Sequence, residues 1–109
     1  MELKKLVKEY FKFFSEKNEK ELFEMFDNKI TLLDWENYAS GKKKVCEVNK
    51  NIFKQLKSIQ VKPLKIYKER NTIIAEIIIK INKKDLLKVV DIISFNEKKK
   101  IISIKAYKM

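Results

Sequence analysis

The sequence has no histidine, one cysteine, one glycine and one proline, and only one of its 26 basic residues is an arginine. Zinc sites and histidine-based catalytic triads need histidine or clustered cysteines, so the composition argues against both. Cys46 alone cannot form an internal disulfide, which is compatible with a reducing compartment. We therefore expect neither a metal site nor a triad.

The sequence also lacks a long apolar run. Every window long enough to span a bilayer is interrupted by charge. The first residues, Met1 to Lys5, lack the apolar stretch and cleavage site of a signal peptide. We therefore expect a cytoplasmic protein without a membrane partner. With 45% apolar residues and no linker, internal repeat or low-complexity tail, residues 1–109 are predicted to form one domain.

A formal net charge of +11 suggests nucleic-acid binding, but the details of the composition oppose it. Arginine is the preferred residue for contacting phosphate and guanine, yet Arg70 is the only one. Lysine, isoleucine and asparagine make up 48 of the 109 residues, and all three have A/T-rich codons. A genome poor in G and C therefore explains the charge better than a dedicated basic site, and nucleic-acid binding is the weakest functional hypothesis.

Three stretches have the apolar spacing of amphipathic helices. The first covers residues 3–14 and places Tyr10 in the middle of its apolar stripe. The second is capped by Asn18 and is predicted to end near Asn28. The third follows Gly41. Its inner stripe consists of Val45, Val48, Ile52, Phe53 and Leu56.

The remaining apolar segments alternate with a period of two, which is typical of strands. A short strand is predicted at residues 30–35, followed by a polar loop to Ser40. Pro63 lies early in the next strand, where a sheet edge or a bulge tolerates it. This order predicts an α+β fold in which three N-terminal helices pack on an antiparallel sheet. The four long strands, joined by hairpin-sized turns, are Ile59–Glu69, Thr72–Asn82, Asp85–Phe95 and Lys100–Tyr107.

The strand at residues 85–95 also predicts a surface for a second subunit. Leu86, Val90 and Ile92 share its outer face with one lysine and one serine. This face is therefore half apolar, although it points away from the helices. Such a face suggests a partner, most simply a second copy in a twofold homodimer.

The inner face of the same strand holds the most informative residue. Leu87, Val89, Asp91, Ile93 and Phe95 alternate onto this face, so one carboxylate points into an apolar core. A buried, unpaired carboxylate avoids the cost of its charge by taking up a proton. A protonated Asp91 can donate a hydrogen bond, which makes it the first candidate site residue.

The succession of elements resembles the nuclear transport factor two-like superfamily, which includes SnoaL-like polyketide cyclases, scytalone dehydratase and limonene epoxide hydrolase. The resemblance covers nearly the whole chain. It is most specific from Leu6 to Asp34, in Val89–Asn96 and in Ile101–Ile104. It implies a cone-shaped α+β fold, in which a strongly curved sheet wraps around helices and encloses a pocket.

Within that superfamily the sequence is most similar to ketosteroid isomerase. There a tyrosine on the first helix and a protonated aspartate on a late strand donate hydrogen bonds to a forming enolate, while a second aspartate moves the proton. By position, Tyr10 resembles the phenol donor, Asp91 the acid donor and Asp34 the base. The resemblance implies a small enzyme, without cofactor or metal, that transfers protons on a small apolar carbonyl compound.

Such an enzyme would be an isomerase, a cyclase or a dehydratase. Trp35 stands where the steroid enzymes have proline, and the loop from Asp34 to Gly41 is shorter than theirs. These two differences change the expected mouth of the pocket. They imply a substrate other than a steroid.

Each candidate residue also has a structural interpretation. Tyr10 is compatible with a core tyrosine whose hydroxyl reaches a backbone group. Asp34 precedes a polar loop that it could brace, and Asp91 could be paired with a buried lysine or hydroxyl. The competing functional class is a non-catalytic ligand-binding or dimerisation module, because this fold carries many unrelated functions.

Overall fold

A computed structural model describes residues 2–109. Three helices pack on one face of a curved six-stranded sheet, which confirms the predicted α+β class. None of the helices formed by these residues has the length and apolar character that a bilayer span requires. In chain order the elements are α1 (Leu3–Ser15), α2 (Glu19–Met25), β1 (Phe26–Leu33), β2 (Tyr38–Ser40), α3 (Lys42–Gln55), β3 (Ile59–Glu69), β4 (Thr72–Ile81), β5 (Asp85–Phe95) and β6 (Ile101–Lys108).

The strands are arranged in the order β2-β1-β6-β5-β4-β3. Strands β3 to β6 form the predicted antiparallel meander. The sheet as a whole is mixed, however, because β1 lies parallel to β6, with Leu32 opposite Ile104. A parallel pair needs a long connection, and here β2, α3 and strands β3 to β5 lie between its two strands. The antiparallel arrangement predicted for the four long strands is therefore confirmed, whereas the short first strand joins them through a parallel pairing.

The elements between α1 and α3 also differ from the predictions, since the short strand predicted at residues 30–35 is β1 and spans Phe26–Leu33. Helix α2 ends at Met25 rather than near Asn28, because Phe26 pairs with Ile101 and the chain enters the sheet there. The predicted polar loop contains strand β2, whose residue Ala39 is buried and lies opposite Leu32. A strand of three residues is too short to show a period of two, so the pattern could not indicate it.

Local backbone signals agree better with the structure. Pro63 lies on the edge strand β3, beside a register shift between Pro63 and Lys65, as its position predicted. Gly41 joins β2 to α3 with a φ of 98°, in the region that favours glycine. The chain can therefore turn sharply from the sheet edge into the third helix.

Two side chains tie the helices to each other and to the sheet. Ser15 Oγ donates to the carbonyl of Phe11 (2.8 Å) and accepts from the backbone N–H of Val61 (2.8 Å), which joins α1 to β3. Lys17 Nζ donates to the carbonyls of Phe53 (2.9 Å) and Leu56 at the end of α3. A cation at a helix C-terminus satisfies free carbonyls and complements the helix dipole. Helix α3 is thereby held in a defined position.

Candidate functional site

A cavity of about 360 Å³ lies between the helices and the sheet. Its walls are mostly apolar and come from α1, α3 and five strands, with Phe14, Ile52, Val61, Ile77 and Val89 as typical members. Four of its lining residues are exposed and mark an opening to solvent. They are Trp35, Glu36, Gln55 and Lys108. The cavity can therefore admit a small molecule from one side of the molecule.

Asp91 lies on the sheet wall of this cavity, where only 7% of the residue is exposed. Its neighbours on the adjacent strands are Ala75 and Ala106, whose small side chains leave space around the carboxyl group. Burial raises the pKa of Asp91 from 3.8 to about 7, and the negative charge of Asp34 adds to the rise. A substantial fraction of Asp91 is therefore protonated near neutral pH.

Tyr10 lies on the helical wall of the same cavity and is 6% exposed. Its ring packs against Phe11, Phe14 and Phe26, with centroids 5.6, 5.9 and 6.4 Å away. Burial and the negative charges of Asp91 and Asp34 raise the pKa of the phenol. The hydroxyl therefore keeps its proton and is available as a donor.

Asp34 follows the end of β1 and is only partly buried at the cavity wall. Its Oδ1 accepts hydrogen bonds from the backbone N–H groups of Glu36 (2.8 Å) and Asn37 (2.6 Å). The side-chain amide of Asn37 lies 3.3 Å from each carboxylate oxygen. Asp34 therefore does brace the loop, as the structural interpretation of this residue expected. Its Oδ2 has only the longer contact, so it is the oxygen more available to a ligand.

The structure brings all three candidate residues to one cavity. Neither Tyr10 nor Asp91 forms a side-chain hydrogen bond to another residue within 2–109, so the backbone or lysine partners considered for them are not found there. In the same part of the chain no fully buried side-chain polar atom lacks a partner. The phenol oxygen and the Asp91 carboxyl oxygens must therefore be accessible from the cavity. They face space that a ligand could fill.

The sequence interpretation missed one residue of this cavity, Asn49 on α3. It is 6% exposed and lies in phase with Val45 and Ile52 on the buried side of the helix. The signal was present, because Asn49 falls four residues after Val45, where a helix repeats its face. An amide in an apolar stripe is a signal of the same kind as a carboxylate on an apolar strand face, because both place a polar group where burial is costly. Residues 2–109 contain no group of three or more histidine, cysteine or acidic residues that could hold a metal ion.

No protein-family model and no curated protein matches the sequence, but solved structures do. A protein from Shewanella denitrificans assigned to the SnoaL-like polyketide cyclases superposes with a TM-score of 0.88 at 8% identity, over 98% of this chain and 90% of its own. An NTF2-like protein of unknown function from Cytophaga hutchinsonii superposes at 0.83 and 15% identity, over 100% and 91%. The fold is nuclear transport factor two-like.

A third structure carries a ligand. It is a protein from Catenulispora acidiphila with a ketosteroid isomerase-like fold, in complex with trimethylamine, which superposes at a TM-score of 0.84 with 13% identity over 93% of this chain and 82% of its own. These similarities confirm the nuclear transport factor two-like fold that the sequence predicted. At such low identities they carry no activity across, so the chemistry has to be argued from the residues in the cavity.

The raised pKa of Asp91 predicts how folding stability depends on pH. The group titrates at about 7 in the folded protein against 3.8 in ordinary surroundings, so the folded state binds this proton more tightly. The stabilisation that this proton gives the folded state is therefore fully present below pH 3.8 and is lost as the pH rises through about 7, the pKa of Asp91 in the folded protein. Between pH 3.8 and about pH 7, the free energy of unfolding of the wild type should fall relative to that of Asp91→Asn by at most about 4 kcal/mol.

Urea unfolding at several pH values measures this difference, and Asp85→Asn is the matched control because Asp85 is an exposed residue of the same strand. The control should follow the wild type across the whole range. A site-resolved NMR titration that finds an ordinary pKa for Asp91 would show the prediction to be wrong.

Proposed function

We propose that this protein is a small, cofactor-independent enzyme that transfers protons on a small, mostly apolar carbonyl compound, in the manner of ketosteroid isomerase. The reaction is of the isomerase, cyclase or dehydratase type. Asp34 acts as the base, while Tyr10 and protonated Asp91 donate hydrogen bonds to the carbonyl oxygen. The observation that carries the proposal is the meeting of two unpartnered donors and one partly buried carboxylate in a single apolar cavity.

The proposed reaction begins with removal of a proton from the carbon next to the carbonyl group. Oδ2 of Asp34 accepts this proton, and the electron pair of the C–H bond moves to form an enolate. Tyr10 and Asp91 stabilise the negative oxygen through hydrogen bonds that strengthen as the charge develops. Asp34 then returns the proton to another carbon of the conjugated system, which completes an isomerisation with no net consumption of protons.

The environment of the two aspartates supports this division of roles. No group within residues 2–109 donates a hydrogen bond to the Asp91 carboxyl group, and its pKa is about 7. Asp91 is therefore suited to keep its proton and donate it in a hydrogen bond. Asp34 accepts two backbone N–H groups on Oδ1, which fixes the carboxylate and leaves Oδ2 available to take a proton from a ligand. The apolar walls around Asp91 limit water, which strengthens a hydrogen bond from its carboxyl group to a negatively charged oxygen. Two of the similar structures are compatible with this chemistry. One is assigned to the SnoaL-like polyketide cyclases, and the other has a ketosteroid isomerase-like fold.

One observation favours the second candidate function, a non-catalytic ligand-binding module. The Asp34 carboxylate is held by the backbone of residues 36 and 37, so its presence is explained by the loop alone. The bound trimethylamine in one similar structure is consistent with a fold that holds a small molecule in either role. Activity measurements with Asp34 variants separate the two functions.

Asp34→Asn is expected to abolish proton transfer while preserving the loop, because the asparagine oxygen can still accept the two backbone hydrogen bonds. The measurement is the isomerisation of a β,γ-unsaturated cyclic ketone, followed by ultraviolet absorbance. A general base typically contributes about 10²- to 10⁴-fold, and the variant should lose rate by that order. Asp85→Asn should retain the wild-type rate. Equal rates for wild type and Asp34→Asn would remove Asp34 as the base.

Tyr10→Phe tests the donor role without disturbing the aromatic packing, because only the hydroxyl is lost. We expect this variant to bind β-naphthol, a phenolic enolate mimic, about 3- to 10-fold more weakly than the wild type. Isothermal titration calorimetry measures the affinity. Tyr38→Phe is the control, because Tyr38 is 69% exposed. The donor role is wrong if the hydroxyl of Tyr10 makes no difference to affinity.

We also propose that the protein is a homodimer formed through the outer face of the sheet. Leu86 and Tyr107 are 61% and 52% exposed there, and Val90 and Ile92 are only partly covered. Apolar groups in such a row favour association with a second copy. Light scattering at micromolar concentration should give twice the chain mass of 13.1 kDa, and Val90→Glu should reduce it to the monomer. A monomeric wild type would contradict the proposal.

A further inference from the structure

Asn49 and Asp91 are the two buried polar or charged residues within 2–109, and both line the same cavity. They approach it from different layers of the fold. Asp91 lies on the sheet wall and Asn49 on the helical wall. The proton-transfer chemistry proposed above uses Asp91 and leaves Asn49 without a role.

The position of Asn49 would ordinarily be filled by an apolar residue. Val45, Ile52 and Phe53 lie on the same side of α3 and are buried or partly buried. Leucine at residue 49 would complete this stripe, have the same branching and number of side-chain heavy atoms, and avoid burying an amide. The amide therefore needs a partner to offset its loss of hydration.

The chain does not supply that partner among residues 2–109, because the Asn49 side chain forms no hydrogen bond to any of them. Since no fully buried side-chain polar atom in that part of the chain is orphaned, the Asn49 amide opens into the cavity. Its backbone position is well defined, because Lys17 caps the end of α3. The amide is thus a fixed polar group on an otherwise apolar wall.

We propose that Asn49 is a ligand-binding residue that recognises a second neutral oxygen on the molecule whose first oxygen meets Tyr10 and Asp91. The ligand class is therefore a small apolar compound with two oxygen functions, such as a hydroxyketone or a diketone. This inference rests on the proposed ligand cavity, but not on catalysis within it.

The chemistry of the amide sets this class. An amide offers two N–H donors and a carbonyl acceptor, so it satisfies a hydroxyl in both directions and a ketone oxygen through its donors. It carries no charge at any physiological pH. Among the ionisable lining residues, Glu36 and Lys108 are exposed at the opening, and Asp34 is partly buried beside them in the loop after β1. A neutral oxygen is the partner that a buried amide of this kind matches best.

The test compares β-naphthol, which has one hydroxyl, with the set of dihydroxynaphthalene isomers by isothermal titration calorimetry. Wild-type protein should bind at least one dihydroxy isomer more tightly than β-naphthol. Asn49→Leu should lose this preference by about 3- to 10-fold while keeping its affinity for β-naphthol. Asn51→Leu is the matched control, because Asn51 is an exposed asparagine on the same helix. It should retain the preference.

Two further readouts separate ligand recognition from a structural role. The side-chain amide resonances of Asn49, identified by their loss in Asn49→Leu, should shift farther when the preferred dihydroxy isomer binds than when β-naphthol binds. Thermal unfolding of unliganded Asn49→Leu should occur no lower than that of the wild type, since an amide without a partner adds no stability.

Three results would overturn the proposal: equal loss of affinity for mono- and dihydroxy compounds, an unchanged preference in Asn49→Leu, or no saturable binding of any dihydroxy isomer to the wild type. Catalysis is judged separately by Asp34→Asn. If Asp34→Asn loses turnover while Asn49→Leu keeps the ligand preference, proton transfer is supported and the role of Asn49 is rejected. If the wild type has no turnover while Asn49→Leu loses the preference, Asn49 is a ligand-binding residue of an inactive binding protein.

Discussion

The cost of placing a carboxyl group in an apolar cavity is the constraint on which this site depends. Strand β5 alternates strictly, so Asp91 has to lie on the same face as Val89 and Ile93. Alanine on both neighbouring strands leaves the carboxyl group space but no hydrogen-bond partner. Because charge is expensive there, the group holds its proton up to a pKa of about 7. An ordinary acid thereby becomes a hydrogen-bond donor near neutral pH.

The contrast between Asp91 and Asp34 shows how one side-chain type can serve two purposes in one cavity. Asp91 lies between apolar residues of the neighbouring strands, whereas Asp34 accepts hydrogen bonds from the backbone N–H groups of Glu36 and Asn37. Burial raises the pKa of Asp91, and the negative charge of Asp34 adds to the rise, so the proton is favoured on Asp91. The proposed acid and base roles therefore follow from environment rather than from residue type.

Much of this arrangement could be predicted from periodicity, and the exceptions have identifiable causes. The inward orientation of Asp91 and Tyr10 follows from spacing within a single element, which the sequence shows directly. The parallel pairing of β1 with β6 joins segments about 70 residues apart along the chain, so no local pattern contains it. The bracing of the loop by Asp34 was foreseen as one alternative, because aspartate commonly bonds the backbone two residues on. Asn49 was missed because only apolar members of its helical stripe were considered.

The polar groups that suit the cavity to a ligand also lower the stability of the unliganded protein. Tyr10, Asn49 and Asp91 have no hydrogen-bond partners in the described chain, and replacing them with apolar residues of similar size would relieve that cost. Contacts away from the cavity stabilise the fold. Lys17 secures the end of α3, and Ser15 joins α1 to the edge strand, so the helical wall keeps its position over the sheet. Contacts at the ends of the helices thus hold the helical wall in place, while Tyr10, Asn49 and Asp91 open into the cavity, where a ligand with matching oxygens can bind them.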